Sequence, residues 1–272
     1  MLVRVNDLDT HCTRWGEGSP VILLHGWGTS GESLEGIAKA LEDRFRVYTI
    51  DLPGFGWTPP PPAVWGTQEY ASHVEGFMDC IGVSSASVLG HSFGGRIALA
   101  LAARSPHRVR KLILVASAGI RPRRRPGRLV KSLAGKLGTR VFSHPLWGPL
   151  GERIVSAVAR RIGSRDYRNA GRMRPILVKV VNEDLRDILP SVRVPTLIIW
   201  GDSDPGIPRS SMEIMAKGIG GSRLQVMEGA GHFPFRDRPD RFVEQGDPVR
   251  LLAECGLDAS GIEVSIRNKL PE

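Results

Sequence analysis

Short, nearly continuous apolar runs recur along the chain at 21–24, 47–50, 86–89, 112–115 and 197–200, each bounded by turn residues, with 224–227 a weaker sixth. A strand that is apolar at nearly every position has no polar face to turn to water, which suits a parallel sheet buried on both sides. Between these runs the period lengthens to that of helices, over about 31–42, 68–81, 95–104, 209–218 and 239–245. Strands alternating with helices predict an α/β domain with a mostly parallel central sheet flanked by helices. Residues 2–5 and 11–15 read as a leading antiparallel hairpin. The stretch 128–188 has helical but no strand-like periodicity, so it reads as an inserted helical cap. The expected organisation is a core of 1–118 and 191–272 interrupted by a cap at 119–190, with no internal repeat.

Composition narrows the class. The chain has 272 residues, 41 % hydrophobic and 24 % charged, which excludes low-complexity disorder and collagen-like repeats. No apolar run approaches the ~18 residues of a membrane helix, and residues 1–7 lack the basic-then-apolar form of a secretion signal. The cysteines Cys12, Cys80 and Cys255 are far apart and form no C-x-x-C pair, so a reduced, cytoplasmic setting is expected.

Charge changes the picture more. The net +9 is not spread over the chain: 119–190 holds 17 basic and 5 acidic residues, whereas 1–118 holds 10 and 11 and 191–272 holds 10 and 12. The excess belongs to the insertion, which opens with Arg121-Pro122-Arg123-Arg124-Arg125-Pro126. No recognition motif or aromatic-interleaved basic stripe accompanies it, so no nucleic-acid partner is expected. Three readings stay open for this segment: solvated helix faces, a pocket selective for apolar or anionic acyl substrates with an arginine or two facing inward, and transient contact of basic amphipathic helices with a membrane surface.

The chemistry begins at Gly90-His91-Ser92-Phe93-Gly94, between the 86–89 strand and the 95–104 helix. A G-x-S-x-G at a strand-to-helix turn puts a serine at a helix N-terminus, where backbone N–H groups favour negative charge. Such a serine needs a base, and the base an orienting acid. Both Asp202 and Asp204 follow the 197–200 strand, and of seven histidines only His232 lies in a Gly-rich turn after a late strand.

With His25-Gly26-Trp27-Gly28 and Asp51-Leu52-Pro53-Gly54-Phe55-Gly56 added, the ordered motifs resemble those of α/β-hydrolase-fold serine hydrolases over approximately 10–245. The resemblance implies an α/β-hydrolase fold and a triad of Ser92, Asp204 and His232, with Asp202 closing the loop. It implies an oxyanion hole made by the backbone N–H groups of Trp27 and Phe93, and places the basic insertion at the family's cap position. His25, His91, Trp147 and Phe233 become candidates for the substrate pocket, His25 and His91 being read also as structural rather than catalytic. Relatives that cut C–halogen or epoxide bonds carry aspartate where Ser92 stands. The expected reaction is therefore acyl transfer on a small to medium ester, thioester or amide, or cleavage of an activated C–C bond. No cofactor and no metal is expected, since the histidines are scattered and no H-E-x-x-H occurs. The rival class is a non-hydrolytic ligand-binding or cyclising member of the same fold. Past Phe242 the family pattern stops, and Asp247-Pro248 with Gly256 reads as a fresh short helix.

Overall fold

A computed structural model of the chain describes residues 1–121 and 165–239. Trp147, Cys255, the tail helix from Asp247, and all but the first residue of the 239–245 helix lie outside them. So does most of the expected cap.

Eight strands form one sheet in the order β1-β2-β4-β3-β5-β6-β7-β8. β1 (Leu2–Val5) and β2 (Leu8–Trp15) make the leading hairpin, and β2 runs antiparallel to β4 (Phe45–Ile50). β3 (Ser19–Leu24), β4, β5 (Ala86–His91), β6 (Val109–Val115), β7 (Thr196–Gly201) and β8 (Arg223–Met227) are all parallel. The continuous apolar runs are explained by burial on both faces. Val21, Leu23, Val47, Leu89, Ile113, Val115, Leu197 and Ile199 join one core cluster with Ile37, Ala38 and Leu41 of helix α1 (Glu35–Leu41). The intervening residues Ile22, Leu24, Ile50, Val88, Leu114 and Ile198 are equally buried and, by the two-residue alternation of strands, face the other side. There α2 (Thr67–Cys80) and α3 (Phe93–Arg104) supply Phe77, Ile97, Leu99 and Leu101.

The chain divides into two compact units, Met1–Arg121 with Val178–Glu272, and Pro122–Leu177. The described part of the second holds α4 (Arg165–Asn169), a 3-10 turn at Gly171–Met173 and the start of α5 (Arg174–Asn182), with the Arg174 guanidinium 5.1 Å from the Tyr167 ring centre. The first continues through a 3-10 turn at Arg186–Ser191, α6 (Arg209–Gly218) and a short α7 (Pro234–Asp237).

The boundaries differ from expectation at several places, β2 beginning at Leu8 and β6 at Val109 ahead of the expected 11 and 112. The 31–42 helix begins as a 3-10 turn, Gly31–Leu34, before α1. Helix α3 starts at Phe93 rather than 95, because Gly94 and Gly95 are helical residues packed against neighbours and not part of the turn. The four-residue α7 carries no periodic signal and was not expected.

Parallel strands bring their carboxyl ends to one edge, and that is where open α/β sheets place ligands. The turns leaving β3, β5, β7 and β8 gather there. They carry Trp27, Ser92, Asp204 and His232.

Candidate active site

Ser92 sits between β5 and α3 with φ +50° and ψ −106°, in a region that non-glycine residues rarely occupy. Its neighbours impose that conformation. The Ser92 N–H donates to Val115 O at 2.9 Å, and the Ser92 carbonyl accepts from Ala118 N–H at 3.0 Å and Arg96 N–H at 3.3 Å. The flanking glycines are required by close approach: a Cβ on Gly90 would strike the Gly94 carbonyl, and one on Gly94 the Leu24 carbonyl. Strain held by surrounding structure is what lifts the Ser92 side chain clear at the sheet edge.

His232 meets it from the turn after β8. Its Nδ1–H donates to Asp204 Oδ2 at 2.8 Å, and its Nε2 lies 2.9 Å from Ser92 Oγ. A carboxylate can only accept, so the proton belongs on Nδ1 and Nε2 is left to accept from the serine hydroxyl. The Asp204 side chain is fully buried, and its other oxygen accepts from Gly206 N–H at 2.7 Å and Ile207 N–H at 3.0 Å. Burial alone would raise the Asp204 carboxyl. The hydrogen bond and charge of His232 and the two N–H groups outweigh it and hold the group below its usual value. Asp202, the other carboxylate after β7, is exposed and closes the turn instead, accepting from Gly229 N–H at 2.8 Å and Ser203 Oγ–H at 3.1 Å.

At the same edge of the sheet lies the turn after β3. His25 is completely buried; its Nδ1–H donates to Gly26 O of its own turn at 2.8 Å, and its Nε2 accepts from Leu52 N–H at 3.0 Å, which ties this turn to the one after β4. Burial pushes it down to about 4 and keeps it neutral. Asp51 braces the same region, accepting from Gly31 N–H at 2.7 Å and Trp57 N–H at 3.0 Å. The half-buried Trp27 has its ring 5.2 Å from Phe93 and 4.9 Å from Phe55, and Phe93 lies 5.0 Å from Tyr70. As the first residue of α3, Phe93 has a backbone N–H without an intrahelical acceptor. Phe233, half-buried beside His232, packs on His91, and His91 itself is 1 % exposed.

Phe55 and Tyr70 were missed in the sequence. Phe55 stood in a Gly-rich turn and Tyr70 on a helix face, and neither position announces an aromatic wall beside Trp27 and Phe93. Asp237 was missed too; its Oδ2 accepts from Gly231 N–H at 2.8 Å and steadies the turn that carries His232.

The sequence profile of the alpha/beta hydrolase family matches residues 21–245. The chain belongs to that family. Among its relatives, a pimeloyl-[acyl-carrier protein] methyl ester esterase of Aeromonas hydrophila is 33 % identical over 255 residues, covering 85 % of this chain and 95 % of that protein. An esterase of Exiguobacterium antarcticum superposes with TM-score 0.70 at 25 % identity, over 94 % of this chain and 98 % of that one. A bacterial membrane phospholipase A gives TM-score 0.67 at 28 % identity, over 90 % and 83 %. Within this alpha/beta hydrolase, no helix among the described residues is long and apolar enough to cross a membrane. No group of three or more His, Cys, Asp or Glu side chains that could hold a metal ion occurs among them either.

Proposed function

We propose that this alpha/beta hydrolase is a serine esterase-type enzyme. It would act on a small to medium ester, thioester or amide, or an activated C–C bond, through an acyl-enzyme on Ser92. The observation that carries the reading is the hydrogen-bonded row Ser92 Oγ–His232 Nε2, His232 Nδ1–Asp204 Oδ2 at 2.9 and 2.8 Å. Ester chemistry is favoured within that range by the esterases among its relatives.

In the proposed cycle Ser92 Oγ attacks the substrate carbonyl carbon while His232 Nε2 takes its proton, and Asp204 stabilises the imidazolium through Nδ1–H. The tetrahedral oxyanion faces the N–H groups of Trp27 and Phe93, a pair of donors of the kind whose individual loss costs ~10²–10³ in rate. His232 then protonates the leaving group, and a water deprotonated by the same nitrogen releases the acid. Phe233 is a wall of the acyl pocket, while His25 and His91 hold its backbone. Residues 119–190 are proposed as the cap that selects the substrate.

A fluorophosphonate probe and a panel of p-nitrophenyl esters test this. Wild-type protein is expected to label at Ser92 and to turn over short-chain esters. Ser92→Ala should abolish labelling and lower kcat by on the order of 10⁴–10⁶. Equal labelling of both proteins, or none of wild type, would overturn the reading in favour of a non-hydrolytic member of the fold.

A further inference from the structure

His91 stands beside the nucleophile in the chain, yet its ring reaches the loop of the base. Its Nε2–H donates to the main-chain carbonyl of His232 at 2.8 Å, across 141 residues of sequence. The ring is 1 % exposed and lies between aromatic neighbours, 5.0 Å from His232, 4.8 Å from Phe233 and 5.3 Å, edge-on, from Phe235. Nδ1 is buried without a hydrogen-bond partner and faces Gly26, where even a Cβ would come within 2.8 Å of it. The ring thus makes one polar contact, and that contact is with the base.

Resting on the proposed roles of Ser92 and His232, we infer that His91 is a positioning residue that locks the main chain of His232 to the nucleophile elbow. A closed circuit results. Ser92 is bonded covalently to His91, His91 holds the His232 carbonyl, and the His232 side chain returns to Ser92 Oγ at 2.9 Å. The rest of the loop needs such a hold. Gly229 has φ +69°, and the other ties fall on the neighbours of His232: Gly229 N–H to Asp202, Ala230 O from Ser203 N–H, Gly231 N–H to Asp237, and Phe233 O from the N–H groups of Arg236 and Asp237, which leaves the His232 carbonyl to His91. The circuit works only with a neutral His91, because a proton on Nδ1 would point at the Gly26 backbone with nothing to accept it. Burial supplies that neutrality, pushing the ring down to about 3. The same orientation excludes His91 as a second base, since its lone pair faces backbone and not the reacting atoms.

The test compares His91→Leu, which has no donor, with His91→Gln, whose amide nitrogen stands where Nε2 did. With a p-nitrophenyl ester the leucine variant should lose ~10–100-fold in kcat, since a small misplacement of a reacting group has an effect of up to about 10². KM should stay within about twofold, and His91→Gln should recover most of the lost kcat. The low-field proton NMR signal of His232 Nδ1–H should broaden or split in the leucine variant and return in the glutamine variant. Should His91→Leu fail to fold, His91→Met is the second donor-free variant and carries the same expectations. Wild-type kcat with an unchanged His232 signal in a donor-free variant would overturn the inference. Equal losses in the leucine and glutamine variants would do so as well. Full activity of Ser92→Ala would instead remove the acyl-enzyme reading, and the NMR comparison alone would then decide whether His91 holds His232.

Discussion

Two aspartates two residues apart leave the same strand, and only their hydrogen bonds tell them apart. Asp204 is buried against His232, whereas Asp202 is exposed and holds the Gly229 and Ser203 turn. Asp204→Asn keeps the shape but offers an amide that cannot fix the imidazole tautomer as a carboxylate does. It should lower kcat by roughly 10³–10⁴. Asp202→Asn, which preserves an acceptor for the Gly229 N–H, should stay within about threefold, and steady-state kinetics on one ester distinguishes the two. The reverse order would remove Asp204 from the acid role. At this scale much of the candidate site was legible: a serine between glycines after a strand, and a histidine in a late Gly-rich turn. The choice between the two aspartates came from resemblance and not from spacing, because both follow β7 and their burial depends on residues 206, 207 and 232. Phe55, Tyr70 and Asp237 gave no local signal, since their partners are distant or on loops.

Helix α2 shows how an element can depend on a remote residue. Its N-cap is Gly66, which has no side chain to offer, and Glu69 satisfies only the Gly66 N–H, at 2.8 Å. The open first turn is capped by Glu183, from 116 residues downstream, whose carboxylate accepts from Thr67 N–H at 3.0 Å and from Thr67 Oγ1–H. The buried Arg96 of α3 donates to the Glu183 carbonyl at 3.0 Å, and Lys179 reaches Val64 O at 3.1 Å and Glu69 at 3.0 Å. Loss of a helix cap costs about 1–2 kcal/mol. Glu183→Ala should therefore lower the unfolding free energy by that amount, read as a lower urea midpoint at unchanged m-value, while Glu183→Gln, keeping an acceptor oxygen, should lose less. No change in either variant would dismiss the cap. The strands of the sheet and helices α1, α2, α3 and α6 were visible in the periodicity, whereas the four-residue α7 was not. The ends of the helices were legible in part: 209–218 matches α6 and 68–81 falls within one residue of α2, whereas α3 begins earlier than expected, under the strained Ser92.

At the scale of the molecule, three histidines buried among the described residues make stability depend on pH. Burial pushes His25 and His73 to about 4 and His91 to about 3, from an ordinary 6.5. Unfolding restores the ordinary value, so between about pH 6.5 and 4 the unfolded chain binds more protons than the folded one. Stability therefore falls as pH falls through this window, by roughly 1.4 kcal/mol per unit for each histidine well below 6.5. At pH 5 that is about 2 kcal/mol each, against a typical total of about 5–15 kcal/mol. Asp204, held low, withdraws its contribution only at more acid pH. Urea titrations should show a steep loss below pH 6, and His73→Gln should flatten it by about a third. His73 suits the test because it lies away from Ser92, sharing a 2.9 Å hydrogen bond with Thr10 Oγ1. An unaltered slope would show that His73 does not titrate on unfolding. The sequence by itself determined the order of the main strands and helices, the segregation of charge into 119–190 and the candidate residues for the proposed chemistry. These follow from local steric preference, from periodicity and from side-chain type. Tertiary structure decided which aspartate meets His232, that His25 and His91 are sealed from water, and that the His232 carbonyl is held by the residue beside Ser92. Those outcomes depend on parallel strands bringing distant turns to one edge of the sheet, and desolvation and hydrogen-bond geometry exist only after that assembly.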